Sequence, residues 1–173
     1  IVYFDVIIVN EYNNKKVQET NFQNIKDLLS KKNVKKIRTS NWEPWGKMFS
    51  RTFILENNIT FSPIRVMNDA YFSISAGLLA ENVCGDFGKV YEYVVYNNSL
   101  SRQSNIEKDI IRIRDVNGIN KMILMHKTYM FYTIDILVPI LRFIKIYGFN
   151  NIYLLIDEMK KYGLYIGIPL YSY

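Results

Sequence analysis

One cysteine and one histidine stand in a chain of 173 residues. With Cys84 alone there is no intrachain disulfide and no thiolate cluster to hold a metal. With His126 alone, multi-histidine zinc sites and Cys2His2 schemes are excluded. His126 lies in an apolar segment and reads as structural, so chemistry is left to carboxylates, amines, hydroxyls or a metal held by oxygen ligands. Concentrated charge of one sign is missing too. Lys and Arg number 22 against 16 Asp and Glu, a formal balance of +6. The densest basic run, "KKNVKKIR" from Lys31 to Arg38, reads as a solvated helix end and loop. Without an RNP-like, helix-turn-helix or zinc signature, no nucleic-acid partner is expected.

Long uninterrupted apolar runs are also absent. The most apolar segment covers residues 120–149, but Lys127 and Asp135 break it and Arg142 and Lys145 close it. A spanning helix needs about 20 predominantly apolar residues. The segment therefore reads as a core or interface helix kinked at Pro139, with a partner surface or shallow membrane contact as the sharper alternative. No secretory signal is recognisable. The Asn58 and Asn97 sequons are expected by chance in so Asn-rich a chain. The expected location is cytoplasmic, with a peripheral position at the inner face of the membrane as the alternative.

What is present is a core. Hydrophobic residues make up 49% and aromatics 15% of the chain, enough for a folded domain. "IVYFDVIIV" reads as a buried strand, and a polar hairpin around "YNNKK" follows it. A helix with Asn21 as cap carries Phe22, Ile25, Leu28 and Leu29. An aromatic loop leads into a short helix, Lys47 to Glu56. Asn68 to Glu81 reads as a helix, with Asp69 a cap or first-turn acid, and "GKVYEYVVYNN" as a strand. From Asn105 the pattern is helical: one helix ended by Gly118, the long segment closed by Gly148, and a last helix capped by Gly163. "IGIPLYSY" reads as an extended tail. The fold class is α/β, with a mixed part over 1–104 and a helical extension over 105–173. A strand this apolar at the very start, with no turn before it, leads us to expect a missing N-terminal part and an open strand edge.

Three segments carry a motif order. The first holds Trp45, Gly46, Lys47, Met48, Phe49, Arg51 and Phe53, then Asn58 and Phe61. The second places Asp69 at a helix start. The third holds Tyr91, Tyr93, Ser99, Ser101 and Arg102. In this order and spacing the chain resembles the second half of a family 2 glycosyltransferase catalytic domain of the GT-A type, over about residues 1–104. The resemblance implies inverting transfer of a sugar from a nucleotide-diphosphate donor to a hydroxyl of a glycan or lipid-linked acceptor, in polysaccharide or glycan synthesis. It maps the catalytic base onto Asp69 and the substrate-binding positions onto Trp45, Gly46, Lys47, Asn68 and Arg102. Trp45 reads as a packing aromatic or, with Gly46, as the acceptor-side wall. Lys47 reads as a surface residue or a donor-phosphate contact, and Arg102 as a diphosphate contact or a turn cation paired with an acid. Tyr91 and Tyr93 read as structural.

The resemblance also implies a divalent cation, Mg2+ or Mn2+, held partly by an Asp-x-Asp motif. No Asp-x-Asp occurs in this sequence, and Asn68 stands where the family has Glu. The metal and nucleotide half is thus expected outside the chain, which would be inactive alone. The alternative expectation is a non-catalytic binding or assembly module, docking to a partner chain or membrane surface, with a homodimer through a strand edge or the helical tail.

Overall fold

The protein is seen as a computed structural model that describes residues 1–10, 16–19, 25–27, 30, 34–64, 66–96, 105–126 and 136–163. The β-branched and aromatic run at the start forms β1, Val2–Asn10, as its composition dictates. β1 is the centre of a four-stranded sheet. Along one edge runs β4, Cys84–Val95, parallel to β1 from the Val2–Cys84 pair to the Asn10–Val95 pair. The other edge is shared between two antiparallel strands. β2, Lys16–Glu19, pairs with Ile7 to Val9, and β3, Lys47–Met48, pairs with Val2 and Tyr3. Both edges of β1 are therefore occupied within the chain, and the open edge expected of it is not found. Asn21, Phe22, Leu28 and Leu29 of the helix expected next lie outside the described residues.

A parallel pair needs a crossover between its strands. Here it includes α1, Val34–Ser40, α2, Arg51–Glu56, and α3, Asn68–Leu79. α3 is apolar nearly all round, and Ala70, Phe72, Ile74, Ala76 and Leu78 are buried. A helix of that kind must be covered on more than one side. On one side it meets α1 at Gly77, where a Cβ would overlap the Arg38 carbonyl. The Arg38 guanidinium then donates to the carbonyls of Gly77, Ala80 and Glu81. These are acceptors at and just past the C-terminal end of α3, where a cation is favoured by the helix dipole. Arg38, read in the sequence as part of a solvated basic run, is an internal clamp.

The helical part is α4, Ile106–Met125, α5, Leu137–Tyr147, and α6, Ile152–Tyr162. Asn105 caps α4, its side chain accepting from the Lys108 N–H. Two expectations fail here for definite reasons. Gly118 does not end α4, because it is a packing residue: a Cβ there would strike the Tyr71 hydroxyl of α3. Pro139 does not kink α5, because it falls in the first turn, where its missing N–H has no helical acceptor to lose. The expected continuous helix over 120–149 is also replaced by two helices, with residues 127–135 outside the description.

The largest core joins both parts of the chain. Ala70, Ile74 and Leu78 of α3 pack with Ile113, Val116, Ile119 and Ile123 of α4, Phe143 of α5, and Leu155 and Met159 of α6. Polar ties fix the helical part: Tyr147 donates to Asp109 at 2.7 Å, and Arg114 pairs with both Asp115 and Glu158. The helices after residue 104 thus serve as the backing of α3.

Candidate functional site

The loop before β3 is organised by its own lysine. The Lys47 ammonium turns inward and donates to the Asn41 and Glu43 carbonyls, each at 2.6 Å, and lies 5.3 Å from the Tyr3 ring centroid. Burial pulls its pKa down to about 7, with the nearby Glu43 carboxylate opposing. Even when neutral, the amine keeps two N–H donors, one for each carbonyl. Gly46 takes the left-handed conformation, φ 67, and its carbonyl accepts from the Phe4 N–H at 2.9 Å. Only a residue without Cβ adopts that conformation cheaply. The loop is thereby stapled to the edge of β1.

This turn lays Trp45 against β4. The indole stacks on Tyr91 at 5.3 Å and on Tyr93 at 5.4 Å, nearly parallel to both. Tyr91 and Tyr93 share a strand face because they are two residues apart. The register of β4 on β1 shifts twice just before them, so that Val6 faces Tyr91 and Ile8 faces Tyr93. Such irregularities re-aim the side chains that follow. Sequence reasoning treated the two tyrosines as structural. Their spacing signals a shared strand face but not that Trp45 lies on it.

A second aromatic cluster holds the start of α3. Phe72 is stacked on Phe61 at 4.3 Å and met edge-on by Phe49 at 5.3 Å. Phe53 and Ile54 of α2 also pack there, and α2 is itself capped by Ser50, whose hydroxyl accepts from the Phe53 N–H. α3 begins after Met67, which sits in the left-handed region at φ 61 and gives no side-chain cap. Asn68 supplies a local substitute, its side-chain oxygen accepting from the Asp69 N–H at 2.8 Å. Asp69 is exposed in the first turn, so it is a first-turn acid and not the cap. Its carboxylate has no hydrogen-bond or ion-pair partner among the described residues.

The structure thus brings Trp45, Gly46 and Lys47 together on one turn with Tyr3, Tyr91 and Tyr93, and sets Asn68 beside Asp69. Asp69 lies in the first turn of α3, three residues before Phe72 of the second aromatic cluster. Arg102, with Ser99 and Ser101, lies outside the described residues. An open cleft of about 470 Å³, lined among others by Ser50, Phe53, Glu56, Leu79 and Glu81, sits at the far end of α3 from Asp69. Its charged side chains, Glu56 and Glu81, are acidic and unsuited to a diphosphate. Beneath α3, Asp115 is buried with one carboxylate oxygen that meets no hydrogen-bond partner among the described residues, and burial raises its pKa against the pull of Arg114. The pKa of nearby Tyr71 is raised by burial and by the charge of Asp115. No sequence motif marked this pair. Comparison of the chain with protein-family models, with curated proteins and with solved structures gives no match.

Proposed function

We propose that the chain is the acceptor-side part of an inverting glycosyltransferase of the GT-A type, with Asp69 as the general base. The observation that carries the reading is the convergence of the three motif segments. Trp45 of the first stacks on Tyr91 and Tyr93 of the third, while Phe49 and Phe61 of the first grip Phe72 of the second, on the helix that bears Asp69. Residues scattered over nearly fifty positions are thus joined by ring contacts.

In this reading the Asp69 carboxylate takes the proton of the acceptor hydroxyl as its oxygen attacks the anomeric carbon. The bond to the diphosphate breaks from the opposite face. An exposed carboxylate that meets no partner among the described residues, at the start of a helix buried along its length, suits that task. The aromatic surface at Trp45 offers a ring face on which a sugar can stack. Gly46 shapes the turn that presents it, and Lys47 acts through the loop it closes. The described residues contain no group of three His, Cys, Asp or Glu side chains that could hold a metal ion. The divalent cation implied by the resemblance finds no ligand set among them.

The test is sugar transfer by the full-length gene product from labelled nucleotide sugars. Asp69→Asn is expected to lower turnover by at least about a hundredfold while leaving donor affinity unchanged. Turnover retained within a few-fold of the parent would remove Asp69 from the reaction.

A further inference from the structure

We infer that the outward face of α5 seats the protein on an anionic lipid surface. The inward side of α5 is committed: Phe143 is buried, and Ile136, Ile140 and Tyr147 join the same core. The opposite side carries Val138, Leu141, Arg142 and Lys145, spaced so that they form one stripe along the helix. Ile146 lies beside it, and all five are exposed. Leu141 is 64% and Ile146 49% exposed. The helix stops at Gly148, φ 80, and the next residue, Phe149, is 69% exposed. Aliphatic side chains and two cations therefore share one surface.

The charge pattern decides what this surface meets. α5 contains no Asp or Glu. A second copy docking through the same face would bring two further cations and, from α5, no carboxylate to meet Arg142 and Lys145, which is repulsive. A layer of phosphate headgroups over acyl chains complements both halves of the pattern. The aliphatic groups enter the acyl boundary, and the two long cationic side chains reach back to the phosphates. Neighbouring α6 differs in charge, since its exposed Asp157 faces Lys160 at 3.7 Å and so offsets a cation, whereas α5 leaves its cations without an acid on their own helix. Among the described residues no helix is long and apolar enough to cross a membrane. α5, at about 16 Å, would lie in the interface plane.

This inference stands on the α5 face alone and does not depend on sugar transfer. Flotation with phosphatidylcholine vesicles, with and without about a third phosphatidylglycerol, tests it directly. Binding is expected to the anionic vesicles only. Leu141→Asp is expected to weaken it about tenfold, and the pair Arg142→Glu with Lys145→Glu more strongly, about fivefold for each charge. Ile156→Asp on α6 is expected to leave it unchanged, and melting curves check that each variant folds. The inference is overturned by absence of binding to anionic vesicles, or by equal losses from the Leu141 and Ile156 variants. It is equally overturned if Leu141→Asp dissolves a dimer while vesicle binding persists, because the face would then belong to a second copy.

Discussion

The two ends of α3 are finished in opposite ways. At the C-terminal end the helix lies against α1 through Gly77, and three carbonyls are taken up by the Arg38 guanidinium. At the N-terminal end the chain enters through a left-handed Met67 without a side-chain cap, and the Asp69 carboxylate faces outward without a partner among the described residues. Between the ends lies a core drawn from both parts of the chain. The difference teaches how a fold holds one carboxylate steady without spending contacts on it. Rigidity comes from the far end and the flanks, and the near end stays open.

The comparison can be broken most severely at Gly77. Gly77→Ala puts a methyl group into the Arg38 backbone carbonyl, and a loss of about 3 kcal/mol or more in unfolding free energy is expected. Denaturant melts would read it, and a loss below about 1 kcal/mol would mean that α1 and α3 part easily. Arg38→Met comes next, at about 2–3 kcal/mol, because it strips a charged donor from three carbonyls at once. Its signature is a lost melting temperature with the Lys35 and Lys36 charges left in place.

Lys47 sharpens the contrast, since it clamps carbonyls as Arg38 does but with a cation that titrates. Its pKa falls from 10.5 to about 7 on folding. Between those values the unfolded chain carries a proton on Lys47 that the native chain has shed, so this group makes stability rise with pH across that window. Below about pH 7 both states are protonated and the whole cost of burying the ammonium is felt. Lys47→Met is expected to flatten the rise when denaturation midpoints are compared at about pH 7 and pH 9. The smallest effect is expected at Asp69. Asp69→Asn removes a favourable charge from a helix start and is expected to cost less than about 1 kcal/mol. A much larger loss would show that the open end is structural after all.

Much of this was legible from local pattern. β1 follows from its β-branched run, α3 from the spacing of its apolar residues, and the Gly148 and Gly163 stops from their left-handed habit. What was not legible depends on contacts distant in sequence. Gly118 looks like a helix stop until Tyr71 is seen against it, and Arg38 looks solvated until the end of α3 arrives beside it. β3 is two residues long and exists only because β1 is there to pair with. For the site, the pattern offers Trp45 as a wall or packing aromatic and Asp69 as a cap or first-turn acid. The tyrosines that complete the Trp45 surface lie across the sheet, and their placement depends on shifts in strand register that no local pattern announces.

The parallel pairing of β1 with β4 has a consequence in time. About eighty residues separate the paired positions, so closing that ladder carries a large loop entropy and is expected to be a late, slow event. At ribosomal speeds of roughly 5–20 residues per second, β1 waits several seconds for β4 to be made. Through that interval "VYFDVIIV" is an apolar strand with an unpaired edge, and the β2 hairpin is the cover that synthesis supplies first.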